Sequence, residues 1–275
     1  MITPKAKKYL WQNFLKNKKI LDLIVGSTSL EGKNVFEVWP GPGDLTDMIL
    51  SKNPLSLKLI ELDPDMIPFL EKRFSEKSFD IYLQDVLDTS ILLGETEKHE
   101  WIHIHKNEKI ILSAPYDVYG NIPYYITSPI LHHFLYSVDL SPQVATFTMQ
   151  KEVAARILST TEHTVLSLSC QLMSDIEKVC DISPNNFIPV PKVWSTCLRF
   201  TLKKTDKQAS LALLALIKKW FSQKRKKLTS NLGQSWYSKD KIVSTLISIG
   251  ISENIRAEEL SLDQWKDLSL ELKSN

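Results

Sequence analysis

The residues best suited to do chemistry are Gly120-Asn121-Ile122-Pro123-Tyr124-Tyr125-Ile126-Thr127-Ser128-Pro129. They follow an expected strand end, Tyr116 to Tyr119, and open into a loop. The Asn121 carboxamide oxygen can accept a hydrogen bond from an exocyclic amine. The backbone carbonyl before or at Pro123 can accept a second bond from the same amine, and Tyr124 can stack on the ring that carries it. Two acceptors on one amine keep its lone pair off the ring and turn it toward an electrophile. Methyl transfer to an amino-bearing heterocycle needs this arrangement. Taken alone, Asn121 to Tyr124 fit equally well a proline turn whose tyrosine packs in a core.

Three strand ends upstream add to that loop. Val35 to Val38 is an apolar run with β propensity. It leads into Trp39-Pro40-Gly41-Pro42-Gly43-Asp44-Leu45-Thr46 and then a helical pattern through Met48, Ile49 and Leu50. Glycines in such a turn let backbone approach a ligand closely. A second strand, Leu57 to Ile60, ends in Glu61-Leu62-Asp63, which places an acid about 20 residues after the glycines, where ribose hydroxyls are bound. A third, Phe79 to Leu83, ends in Gln84-Asp85-Val86, with Asp85 set to accept from an adenine amine.

With these motifs in order, the chain resembles the rRNA adenine N6,N6-dimethyltransferases, the KsgA/RsmA enzymes of small-subunit ribosomal RNA and their Erm relatives. The resemblance runs from Gln12 to about Leu232. It includes Gln12-Asn13-Phe14-Leu15, the cofactor loop Glu37 to Thr46, Glu61, Asp85, and Asn121 to Tyr124. It continues through Gln150-Lys151-Glu152-Val153-Ala154-Ala155-Arg156, the run Phe187-Ile188-Pro189-Val190-Pro191-Lys192-Val193 with Ser195, and the basic segment Phe221 to Leu228. It implies an α/β fold, a Rossmann-like class I methyltransferase sheet with a small carboxy-terminal helical domain. It implies S-adenosylmethionine as cofactor, held by Gln12, Asn13, Leu15, Glu37, Gly41, Gly43, Glu61, Asp85, Val86 and Asn121. Asn121, Pro123, Tyr124 and Phe187 would surround the target adenine, with no metal. Lys224, Arg225, Lys226 and Lys227 would contact RNA.

The chain departs from the family at four places. Trp39 and Trp11 stand where the family has glycine, and a Tyr-Gly pair expected near His163-Thr164 is absent. Trp39 could fill the methionine end of the cofactor pocket or point away and stiffen the loop. Trp11 could pack against it. The segment from Thr89 to Pro115 is longer than the family's. Its His99, His103 and His105 lack a nearby cysteine, and Trp101, Ile102 and Ile104 alternate with polar residues. A strand of an added, solvent-facing hairpin is expected there rather than a metal site.

Composition fits one large domain and a small one: 275 residues, 43% of them hydrophobic. The expected division is an arm over residues 1–19, a methyltransferase domain over 20–204 and a helical RNA-binding domain over 205–275. Expected strands lie at Val35, Leu57, Phe79, Asp117, Ala145, the Val165 to Leu172 region and Cys197. Expected helices cover Ile126 to Leu135, Lys151 to Leu158, Ala209 to Lys219, Lys239 to Ile249 and Leu262 to Leu270, with stops at Gly233 and Gly250. No apolar run reaches membrane-spanning length, and the lysine-rich start has no apolar signal region. Cys170, Cys180 and Cys197 are isolated and odd in number, as in a reduced cytoplasmic protein. Net charge is only +2, but it is unevenly placed. Lys5, Lys7, Lys8, Lys16, Lys18 and Lys19 crowd the start, and Lys218, Lys219 and Lys224 to Lys227 crowd a later stretch. Two basic clusters around a base-binding motif suit a phosphate-tracking surface; the resemblance implies that the partner is small-subunit ribosomal RNA, and a monomer is expected. Two alternatives stay open: an Erm-like enzyme of large-subunit rRNA, and a non-catalytic ribosome-assembly factor of the same fold.

Overall fold

The computed structural model describes residues 6, 7, 10, 12–88, 90–94, 101–223, 226–230 and 237–274. Twelve strands lie among them: β1 (Phe14–Leu15), β2 (Asn34–Val38), β3 (Ser56–Glu61), β4 (Asp80–Leu83), β5 (Ile91–Leu93), β6 (His103–Lys106), β7 (Ile110–Leu112), β8 (Tyr116–Asn121), β9 (Val144–Gln150), β10 (Ser174–Ile182), β11 (Phe187–Ile188) and β12 (Ser195–Leu202). The helices are α1 (Lys18–Val25), α2 (Asp44–Leu50), α3 (Ile67–Arg73), α4 (Thr127–His132), α5 (Lys151–Leu158), α6 (Val165–Met173), α7 (Lys207–Trp220), α8 (Lys239–Ser248) and α9 (Leu262–Ser274). Contacts divide the chain into two compact units, Met1–Ala154 with Ile176–Leu202, and Ala155–Asp175 with Lys203–Asn275.

The first unit is built on an eight-stranded sheet in the order β10-β12-β9-β8-β2-β3-β4-β6. Strands β9, β8, β2, β3, β4 and β6 pair in parallel, and β12 runs antiparallel to β9. The chain leaves β2 and β3 by helical crossovers and returns parallel, so the carboxyl ends of β2, β3, β4 and β8 share one edge. In an open α/β sheet, ligands bind outside that edge. Val35, Phe36, Val38, Leu59, Ile60, Ile81 and Val118 are buried, as expected of parallel strands covered on both faces.

Two expectations are corrected here. The Val165 to Leu172 run is helix α6, not a strand. Thr164 caps it: its Oγ1 accepts the Ser167 N–H at 3.0 Å, and Ser167 Oγ accepts the Thr164 N–H at 2.7 Å. Continuous apolar runs do not separate helix from strand by periodicity, and here the cap decides. The strand of this region is β10, immediately after. The insertion is also not a hairpin apart from the sheet. His103 to Lys106 forms β6 and extends the main sheet in parallel beside β4, while β5 and β7 pair as a separate two-stranded sheet. His99 lies outside the described residues.

The second unit has its own core. Leu168 and Leu172 of α6 pack with Leu214, Ile217 and Trp220 of α7, Ile242 and Leu246 of α8, and Trp265, Leu268 and Leu272 of α9. The Trp220 and Trp265 rings meet edge to face at 5.8 Å. Gly250, at φ 73°, ends α8 as expected, whereas Gly233 lies outside the described residues. No helix among the described residues is long and apolar enough to cross a membrane.

The turn after β2 constrains the first unit most tightly. Gly41 (φ 54°) and Gly43 (φ 84°) are both left-handed. A Cβ on Gly43 would lie 2.6 Å from the Phe74 ring, and one on Gly41 would lie 2.9 Å from the Phe14 ring. Gly43→Ala should therefore destabilise the protein by about 1–3 kcal/mol, through left-handed strain plus displacement of Phe74. Urea unfolding measures this, and an unchanged midpoint would mean that Phe74 moves aside freely.

Candidate active site

A cleft opens at the carboxyl edge of the sheet in the first unit. Its lining brings together Gln12, Asn13, Leu15, Glu37, Gly41, Glu61, Asn121, Pro123, Tyr124 and Phe187 of the residues expected from sequence. Gly43, Asp85 and Val86 are not among the lining residues. Gly43 serves the turn itself. Asp85 Oδ1 accepts the Leu87 N–H at 3.0 Å just beyond β4, and Val86 is buried.

The loop after β8 is held from two directions. Asn121 Nδ2 donates to the Asn13 carbonyl at 2.8 Å. Only the amide nitrogen can donate to a carbonyl, so this bond fixes the carboxamide and leaves Oδ1 as its acceptor. The Tyr124 hydroxyl meets Ser195 Oγ at 2.8 Å, and burial pushes its pKa up. That bond holds the phenol at one end and leaves the ring as a flat wall.

The amino-terminal arm closes over these residues. β1 pairs antiparallel with β11, Phe14 opposite Ile188 and Leu15 opposite Phe187. Phe187, the expected base-stacking ring, is 1% exposed yet reaches the cleft lining. Gln12 Nε2 donates to Asp63 Oδ2 at 2.8 Å, and Gln12 Oε1 accepts the Lys7 N–H at 2.8 Å. Lys7 Nζ sits 2.5 Å from Asp63 and 2.6 Å from Asp65. Lys16 pairs with Asp44 at 2.5 Å. These two lysines, read from sequence as part of a phosphate-facing cluster, pin the arm to the domain's own carboxylates. Asp63, fully buried, was missed from sequence. The signal was its place two residues after Glu61 and before Pro64, where it also caps a short turn through the Asp65 N–H at 3.0 Å.

Two buried acids set the electrostatics. Glu61 Oε2 accepts the Gly41 N–H at 3.0 Å, and Oε1 accepts the Leu62 and Asp63 N–H groups at 2.9 and 2.8 Å. Burial outweighs those bonds and raises its pKa to about 7. Glu37 is fully buried, and neither oxygen has a hydrogen-bond partner of normal geometry. Thr46 Oγ1, itself unpartnered, lies close enough only to moderate the shift. Burial, with smaller contributions from Glu61 and Asp44, raises the Glu37 pKa to about 8.

Trp39 lines the cleft, half-buried, with φ 54°. Its N–H donates to the Ile60 carbonyl at 2.8 Å and continues the β2–β3 pairing. Trp11 lies outside the described residues.

Residues 3–274 match the family described as Ribosomal RNA adenine dimethylase. The chain belongs to this family. It is 34% identical over 274 residues to the Ribosomal RNA small subunit methyltransferase A of Mycoplasmopsis pulmonis, covering 98% of this chain and 100% of that one. It is 32% identical to the protein of the same name from Fusobacterium nucleatum, covering 96% of each. Among solved structures, a dimethyladenosine transferase from Plasmodium falciparum superposes with a TM-score of 0.73 at 21% identity, over 95% of this chain and 98% of that one. The 23S rRNA methyltransferase ErmE gives 0.72 at 21% identity, over 95% and 100%. At that identity the structures speak for the fold.

As a ribosomal RNA adenine dimethylase, the chain carries the basic segment the family resemblance implies. Lys218, Lys226 and Lys227 are exposed in the second unit. Lys227 Nζ bonds Asn254 Oδ1 at 2.6 Å. Lys224 and Arg225 lie outside the described residues.

The buried acid at Glu37 has a pH consequence. Its folded pKa of about 8 lies above the ordinary 4.5, so the folded chain holds this proton more tightly than the unfolded chain does. The stability it contributes is therefore lost as pH rises from about 5 through 8. Glu37→Gln removes that slope. Relative to the parent's, its Tm should rise between pH 5 and pH 9 by at least about 2–4 °C, the shift expected for roughly 1 kcal/mol at this size. Parallel Tm–pH curves for the two proteins would show that Glu37 is already ionised at neutral pH.

Proposed function

We propose that this chain dimethylates the N6 amines of adenines in small-subunit ribosomal RNA, with S-adenosylmethionine as methyl donor. The observation that carries this is the fixed Asn121 carboxamide, its oxygen left as an acceptor beside Pro123 and the anchored Tyr124 ring. The curated relatives, small-subunit enzymes by name, support the small subunit over the large.

The cleft suits the cofactor on its own chemistry. A buried carboxyl without a partner, Glu37, is the group that a cationic ligand would satisfy. Glu61 spends three of its roughly four acceptor sites on backbone N–H groups and keeps one for a hydroxyl. Asp85 and Val86 follow β4, next to β3 in the sheet; the family resemblance assigns them to the cofactor's adenine, although they do not line the cleft. Gln12, Asn13 and Leu15 cover the cleft from the arm. When bound, S-adenosylmethionine supplies a methyl on a sulfonium, already a strong electrophile.

The remaining work is positioning by this chain's residues. Asn121 Oδ1 accepts one N6 hydrogen and a backbone carbonyl of the loop accepts the other, which points the nitrogen lone pair out of conjugation. Tyr124 holds the adenine face, and Phe187 completes the apolar wall. Effective positioning of this kind supplies about 7–11 kcal/mol of a bimolecular barrier when reacting atoms sit about 3–3.5 Å apart.

Asn121→Ala should reduce methyl transfer from labelled cofactor about 100-fold or more, the usual effect of removing one aimed polar contact. Cofactor affinity should stay near the parent's. A variant as fast as the parent would remove Asn121 from this role.

Trp39 supports the competing view of a non-catalytic assembly factor, and calorimetry separates the two. The parent should give saturable heat with S-adenosylmethionine, and no heat from a folded protein would favour the assembly factor. Trp39→Gly fits the left-handed backbone and opens the cleft, so it should bind the cofactor more tightly. Equal affinity would show that the indole lies outside the cofactor's space.

A further inference from the structure

Two segments that anchor Tyr124 also expose apolar side chains to water. Tyr125 follows Tyr124 directly and is 56% exposed. Trp194 directly precedes Ser195, the residue that holds the Tyr124 hydroxyl, and is 50% exposed although Ser195 is fully buried. Ile188 and Val190, on the run leading to Trp194, are also exposed. The Trp194 backbone is held, and a lysine lies against the indole. The Trp194 carbonyl accepts the Lys151 N–H at 2.9 Å, and Lys151 Nζ lies 5.3 Å from the ring centroid. Lys151 Nζ is in turn 3.1 Å from Asp181 Oδ2, and Lys192 is exposed two residues before the indole.

Single exposed aromatics are ordinary, but these two adjoin in sequence the residues of the Tyr124–Ser195 hydrogen bond, and Tyr125 itself lines the cleft. Lys151 and Lys178 share Asp181, Glu152 adjoins Lys151, and Lys192 stands apart, so the surroundings are mixed with one cation in excess, and a partner with flat apolar faces and a modest negative charge fits them. Lifting an adenine out of its stack leaves the neighbouring base with an uncovered face. An exposed indole covers such a face whatever the base, because stacking reads no hydrogen-bond pattern.

We propose that Trp194, with Lys151 against its ring, is a stacking platform for an unpaired RNA base next to the adenine held at Tyr124. This rests on the function proposed above and names how the substrate is gripped beyond its target base. Trp194 is a positioning residue, since it touches RNA outside the reacting atoms.

The test compares Trp194→Ala and Trp194→Phe with the parent, using unmethylated small ribosomal subunits for kinetics and deproteinised small-subunit rRNA for filter binding. Loss of one base stack weakens binding about fivefold or more. Trp194→Ala should therefore raise KM for subunits about fivefold or more with kcat little changed, and weaken RNA binding to match. Trp194→Phe should recover most of both, and both variants should keep the parent's cofactor affinity, which also checks folding. A parent that transfers no methyl groups sinks the proposed function, and RNA binding then still decides the platform. Equal RNA affinity in parent and Trp194→Ala overturns the platform. A KM effect on subunits without an effect on naked RNA also overturns it, since the indole would then face a ribosomal protein.

Discussion

The pairing of β1 with β11 is the constraint on which the site depends. Two residues of the arm, Phe14 and Leu15, add to Phe187 and Ile188, and that short ladder places the Asn13 carbonyl where the Asn121 amide must donate. Without it, the carboxamide could turn either face to the cleft. The same pairing sets the Phe14 ring against Gly41, so the arm, the turn after β2 and the Asn121 loop share one arrangement. A two-residue ladder is weak by itself. Asp63 reinforces it, fully buried and bonded to Lys7 and Gln12, with its pKa held down by those partners against the opposing effect of burial. Breaking one partner of such a group leaves a buried charge uncompensated, which is far more costly than losing a surface pair.

Three acids at this edge of the sheet are held in unlike ways. Asp63 is ionised and paired. Glu61 is bonded to three backbone N–H groups. Glu37 is buried with neither. The gradient follows from strand position: Glu37 lies within β2 between two neighbouring strands, while Glu61 and Asp63 stand at the end of β3, where loop N–H groups turn back toward them. An acid kept neutral by burial is a latent charge, available to a cation that enters and displaces the proton. The folding cost of holding Glu37 away from water is thus borne where a positively charged ligand would recover it.

Much of this was legible in the sequence. Helix α5 runs from Lys151 to Leu158 as its periodicity predicts, and the strand ends at Val38, Glu61 and Asn121 carry the polar residues that reach the cleft. What was not legible follows physical limits. Helix α6 is an apolar run whose identity rests on one Thr-Ser cap. Strand β6 joins the sheet edge through backbone bonds that alternation alone does not assign to a partner. β1 is too short for any periodic signal, and Lys7 and Lys16 look like RNA contacts until Asp63 and Asp44 are seen beside them.

The substitution at Trp39 shows how far backbone overrides side chain. Left-handed residues recur at 39, 41 and 43, bending the turn so that the Gly41 N–H meets Glu61 and the Gly43 N–H meets the Pro40 carbonyl at 3.0 Å. Arg73 braces the outside, donating to the Pro42 carbonyl at 2.9 Å and to Asp44 at 3.0 Å. A non-glycine residue held at positive φ costs about 1–2 kcal/mol. The bonds on both sides of Trp39 over-determine its backbone, so the turn keeps the shape a glycine would give it and the indole is what must find room. A left-handed position that favours glycine is thus held here by a tryptophan.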